Sequence, residues 1–167
     1  MIRYEIADRP GEDLGTVWEE DAVRRVVDLA SGYPYFLQLS ASEAWIAAAG
    51  GPQIELDHVE TAVPSVRRQL DTGLYSARFS RLSEREREYV EAMVVVADRY
   101  DAPRIDATHA RVPSGAVAEH LGKTLSQLAT TRDRVIRKGI VHAPRHGELA
   151  FSVPGFADYV RRRTGRA

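Results

Sequence analysis

The sequence contains no cysteine. Disulfides and thiolate metal centres are therefore excluded. No apolar run approaches the roughly 20 residues of a membrane span, so no membrane partner is expected. The opening Met-Ile-Arg-Tyr-Glu-Ile-Ala-Asp has no apolar stretch behind a basic head. It does not read as a signal peptide, and a cytoplasmic location is expected. The histidines, His58, His109, His120, His142 and His146, show no paired ligand spacing, and no metal site is expected. There is no Gly-x-Ser-x-Gly elbow to single out a serine nucleophile. The closely spaced carboxylates Glu84, Glu86 and Glu88 fall in a charged helical start, where they read as solvated. The chain itself is not expected to be an enzyme.

What is present suits one domain or two small ones: 167 residues, 44% hydrophobic and 28% charged. The net charge of −1 hides an asymmetry. Residues 1–75 carry 6 Lys/Arg against 13 Asp/Glu, a balance of −7, while residues 76–167 carry 17 against 11, a balance of +6. An acidic half joined to a basic half suggests two modules with different partners, divided at 75/76. The basic module is a candidate for nucleic acid. The plainer reading is a solvated surface that carries arginine.

In the first module, Met1 to Val17 reads as an irregular lead-in. Ala22, Val23, Val26, Val27 and Ala30 are spaced for one face of a helix over Glu19 to Ala30. Ser31-Gly32 ends it, and Pro34 suits the first turn of the next helix. That second helix, Pro34 to about Ala49, is apolar on most sides and is expected to be largely buried. After Gly50-Gly51-Pro52 and a short extended piece, Asp57 and Glu60 predict a capped third helix. Val59, Val63, Val66 and Leu70 give it an apolar face.

In the second module, Ser83-Glu84-Arg85-Glu86 predicts a capping box, with Tyr89, Val90, Met93 and Val94 on the apolar face that follows. Asp98 to Ala110 reads as a flexible loop. Arg111-Val112 allows a short strand. A helix over Ala116 to Leu121 meets Gly122, and Ser126 is the expected cap of another helix running to about Lys138, stopped by Gly139. Strands near Ile140 to Ala143 and Leu149 to Val153 flank Arg145-His146-Gly147, a hairpin signal. Phe156 and Val160 mark the inner side of a last helix. Helix, turn, helix, hairpin in that order resembles a winged helix-turn-helix domain.

Gly32-Tyr33-Pro34-Tyr35-Phe36-Leu37-Gln38, between two helices and ahead of a third, resembles the helical lid of AAA+ and STAND-type P-loop ATPases, in which a winged helix follows the lid. The resemblance covers about residues 19–163. It implies a mainly α protein: a three-helix lid-like bundle, then a winged helix-turn-helix with a small β-hairpin wing. It places Gly32, Tyr33 and Pro34 at the rim of a nucleotide pocket. By themselves these residues read as a glycine helix stop followed by a proline helix start. The nucleotide-binding core is missing. Gly122-Lys123-Thr124 mimics the end of a phosphate loop, but Val117 stands where that loop needs its first glycine, in a helical segment. The chain is therefore expected to be the C-terminal part, or a stand-alone relative, of such an ATPase. It would carry no cofactor; ATP and Mg²⁺ would belong to the parent protein, and the ATPase core would be a partner.

The expected role of the second module is binding duplex DNA. On the helix before Gly139, Leu125, Leu128, Val135 and Ile136 share one side, while Gln127, Thr130, Arg134, Arg137 and Lys138 share the other. Polar and basic side chains of this kind can reach base edges and phosphates. Arg145 and His146, at the hairpin tip, join them as candidates. The alternative is a winged domain that docks on the ATPase core or another protein.

Overall fold

The computed structural model of the protein describes residues 16–99, 104–106 and 109–165. Most of the expected lead-in and part of the expected loop lie outside them. The chain forms two compact units, Met1–Thr72 and Gly73–Ala167. It is mainly helical, with short strands.

The first unit holds β1 (Val17–Trp18), α1 (Glu20–Ala30), α2 (Pro34–Ala47), β2 (Gln53–Ile54) and α3 (Leu56–Gln69). β1 and β2 pair in parallel, with Val17 opposite Gln53. α2 packs against both other helices. The apolar spacing of α1 works as predicted, since Ala22, Val23, Val26 and Ala30 are all buried. α2 buries Phe36, Leu37, Ala41 and Ala44 but leaves Tyr35 49% and Ile46 57% exposed. A lone pair of neighbouring helices can cover only part of its circumference.

The start of α3 corrects the sequence reading. Glu55, not Asp57, is the N-cap. Its N–H donates to His58 Nδ1 at 3.0 Å, and the Leu56 N–H donates to a Glu19 carboxylate oxygen at 3.2 Å. Asp57 sits in the first turn, where its charge favours the helix dipole. Glu60 instead pairs with Arg25 at 2.6 Å. Tertiary partners thus moved the cap two residues upstream.

A π-helical stretch, Leu70–Tyr75, follows α3, and the division between the units falls within it. The second unit then runs through α4 (Ser76–Ser80), α5 (Glu84–Arg99), β3 (Arg104–Asp106), β4 (His109–Ala110), β5 (Val112–Pro113), α6 (Ser114–His120), α7 (Leu125–Arg137), β6 (Val141–His142), β7 (Glu148–Phe151) and α8 (Phe156–Arg163). α5 is the central helix and packs against α6, α7 and α8. It begins as the sequence predicts, with the Ser83 N–H donating to Glu86 Oε2 at 2.7 Å. Tyr89, Val90 and Met93 carry its buried face.

The segment expected to be a loop before α6 contains antiparallel pairing between β3 and β4. β5 joins the hairpin to make a three-stranded antiparallel sheet in the order β5-β7-β6. Pro113 can end that edge strand because it has no N–H to donate. Phe151, Phe156, Tyr159 and Tyr75 form an aromatic cluster with centroids 5.6–6.0 Å apart. Tyr75 donates its hydroxyl to the Pro154 carbonyl at 2.6 Å. Gly155 is obligatory beside it: its φ is +72°, and an added Cβ would stand 2.6 Å from the Tyr75 oxygen.

Candidate nucleic-acid interface

The geometry of α7 is set at both ends. Gly122, at φ +63°, ends the α6 path, and the chain turns through Lys123. Thr124, not Ser126, is the N-cap of α7. Its hydroxyl accepts the Gln127 N–H at 3.3 Å, and Gln127 Oε1 accepts the Thr124 N–H at 2.8 Å. The sequence offers two hydroxyls here. Thr124 wins because Gln127 stands three residues after it and completes the reciprocal pair.

At the other end, Lys138 donates to Glu86 Oε2 at 2.6 Å and to the Arg81 carbonyl at 2.7 Å. Arg78 donates to the Gly139 carbonyl at 3.2 Å. The residues just before and within the start of α5 therefore grip the last turn of α7. Glu86 is 2% exposed. Burial pushes its carboxyl pKa up, but the Lys138 ammonium and the Ser83 hydrogen bond outweigh burial, and the net direction is down.

Between these anchors α7 is shallowly seated. Leu128 and Val135 are its buried residues. Gln127, Thr130, Arg134 and Arg137 are all exposed. The side chains of Arg134 and Arg137 make no hydrogen bond or ion pair among the described residues. Lys138, expected on the same side, is the C-cap of α7 and falls nearer the direction of Leu128 and Val135, about 70° from it at 100° per residue. Its ammonium is engaged by Glu86 rather than offered outward. Leu125, expected on the inner side, is 56% exposed, since the first turn of α7 projects past the packed part of the core. Arg132 is half-buried, its Nε unpaired. Burial raises the pKa of the Tyr89 hydroxyl, and the Arg132 charge offsets only part of that rise.

The hairpin tip carries Arg145 and His146, both exposed. It is held by Gly147 at φ +79°, whose carbonyl accepts the Ser114 N–H at 2.8 Å. That bond ties the tip to the start of α6 and fixes where Arg145 and His146 can reach. The sequence reading missed Ser126 and Asp133, which are also exposed on α7. At 100° per residue, Ser126, Thr130, Asp133 and Arg137 fall opposite Leu128 and Val135 and centre the outward face. A helical wheel referred to the two buried residues alone would have found them.

The other candidates sit as local geometry dictates. Gly32 takes φ +75° with nothing within 4 Å of an added Cβ, so no close neighbour requires a glycine there. The Tyr33 N–H donates to the Ala30 carbonyl at 2.8 Å, and Pro34 opens α2. Tyr33 packs its ring 4.9 Å from that of Phe36. Lys123 donates to the Glu88 carboxylate at 3.1 and 3.2 Å. Among the described residues no group of His, Asp and Glu side chains could hold a metal ion, and no helix is long and apolar enough to cross a membrane.

No curated protein matches the chain. Solved structures of RuvB from Thermotoga maritima are similar to it. The one described as the Holliday junction branch migration motor is 14% identical with a TM-score of 0.40, covering 99% of this chain and 48% of that one. A point mutant of the same protein is 14% identical with a TM-score of 0.41, over 98% and 47%. The chain thus spans about half the length of these structures. A family model, described as "Domain of unknown function (DUF8462)", matches residues 72–160. That match takes in more than half of the sequence and all of α4 to α7 with the sheet, and the chain belongs to this family.

Proposed function

We propose that the second unit is a winged helix-turn-helix that binds duplex DNA, with α7 as the helix entering the major groove and the β6–β7 hairpin as the wing. One observation carries the reading. α7 is anchored by Leu128 and Val135 and turns outward a face on which Thr130, Arg134 and Arg137 are exposed and the two arginines are uncommitted. A helix so shallowly seated can be inserted into a groove about 12 Å wide, and guanidinium groups can take phosphates or guanine edges. The positive balance of residues 76–167 adds non-specific attraction.

The first unit is, on this reading, the lid-like bundle of an AAA+ or STAND-type P-loop ATPase, with Gly32, Tyr33 and Pro34 as the rim facing a base. The ATPase core would be its partner and would hold ATP and Mg²⁺. The chain described here would not hydrolyse ATP. The engagement of Lys123 with Glu88, in a helix-to-helix turn, supports that part.

The test is titration of the full chain with mixed-sequence duplex at several salt concentrations. Affinity should fall steeply as salt rises, and Arg134→Ala/Arg137→Ala should weaken binding and lower the salt slope by about two. Unchanged affinity in that variant overturns the proposal. Salt-independent capture by a protein partner would favour the docking role instead.

A further inference from the structure

Asp133 lies at the centre of the outward face of α7, opposite Leu128 and Val135. It is exposed, and its carboxylate has no hydrogen bond or ion pair among the described residues. Arg137 stands four residues on, the spacing at which helical ion pairs form, and Arg134 is its neighbour; yet neither arginine pairs with it. A carboxylate there is the wrong sign for a surface that only grips phosphates. Against a duplex it is repelled by both backbones, and the repulsion is offset only where a hydrogen-bond donor on a base edge meets it. In the major groove the donors are exocyclic amino groups, and cytosine N4 is the one that a carboxylate accepts from without a second donor of its own.

We infer that Asp133 is a specificity-determining residue, which makes this helix select duplexes presenting cytosine N4 at one fixed position and reject others. The inference rests on the DNA-binding reading above. It adds that the interface is sequence-selective and names the residue that makes it so. The exposed methyl groups of Ala129 and Thr130, on the same face, would read thymine methyls beside that position.

The experiment is selection of bound duplexes from a randomised pool by the full chain, repeated with Asp133→Ala and Asp133→Asn. Because Asp133 is exposed and unpartnered, both variants should melt with the parent. The parent should enrich cytosine at one position, with roughly ten-fold discrimination against other bases. Asp133→Ala should lose the preference there and bind rejected duplexes more tightly, while preferences elsewhere in the site persist. Asp133→Asn should move the preference toward adenine, whose N6 and N7 suit an amide. An Asp133→Ala chain that binds every duplex tighter by one common factor, or that enriches the same cytosine, overturns the inference and leaves DNA binding standing. If none of the three chains retains any duplex at low salt, the DNA-binding reading itself fails.

Discussion

Glu86 is a carboxylate inside a core, and its surroundings decide what it does. The Lys138 ammonium and the Ser83 N–H both donate to the same oxygen, Oε2. The pair is a structural clamp, although the sequence reading groups Lys138 with the polar side of α7. Referred to the buried Leu128 and Val135 alone, the wheel puts Lys138 at the flank of the packed side, from which its long stem reaches a partner 52 residues away. Lys138→Met should therefore cost about 1–2 kcal/mol of stability, discounted because the lysine is 37% exposed. It should leave the salt slope of duplex binding unchanged, whereas Arg137→Ala should do the reverse. Melting and titration of the two variants check this. Glu86 also sets a pH dependence. Its folded pKa is held below the ordinary value of 4.5, so its contribution is complete above that value and is lost as pH falls through the lower folded one. Glu86→Gln should be less stable near neutrality and should lose less stability on acidification below about pH 4.5, as read by melting temperature against pH.

At the scale of elements, apolar spacing found α1, α3 and α5, because burial on one face is what the spacing records, while α2, apolar on most sides, was found by its proline start and glycine stop. Ala22, Val23, Val26 and Ala30 in α1, and Tyr89, Val90 and Met93 in α5, are buried where the periodicity put them. The caps were less legible. Thr124 and Ser126 are equivalent as residue types, as are Glu55 and Asp57 as carboxylates, and the choice is made by partners: Gln127 for the first, Glu19 and His58 for the second. The strand at Val112–Pro113 was legible from Arg111-Val112, but the β3–β4 pairing was missed because its pieces are two or three residues long and carry no readable alternation. On α7 the inner pair Leu128 and Val135 was legible, but Leu125 was not, since only the packed structure shows that the first turn protrudes. The cap assignment gives a clean test. Thr124→Ala should destabilise the protein by about 1 kcal/mol, and Ser126→Ala by only a few tenths. Equal losses in chemical denaturation would mean that Ser126 shares the cap.

At the scale of the whole molecule, the chain is two compact units with opposite charge. The charge imbalance was visible in composition because it needs no geometry. The nucleotide rim rests on resemblance, for the turn at Gly32 is complete as a helix stop and start in its own right. Triphosphate affinity in P-loop proteins comes largely from a glycine-rich loop, a lysine and Mg²⁺. Calorimetric titration with Mg-ATP should accordingly show binding no tighter than about millimolar. A micromolar constant, or phosphate release abolished by Lys123→Ala, would mean that the turn before α7 does other chemistry. The shallow seat of α7 has a consequence of another kind. Between its anchored ends, its 13 residues bury two side chains, Leu128 and Val135, and exposed substitutions elsewhere shift stability by within about 0.5 kcal/mol. The outward positions can therefore be rewritten one at a time without passing through an unfolded protein. On the DNA-binding reading, the positions on which a change of partner would depend are among those whose alteration the fold tolerates, so their lettering can drift over generations while the scaffold beneath stays put.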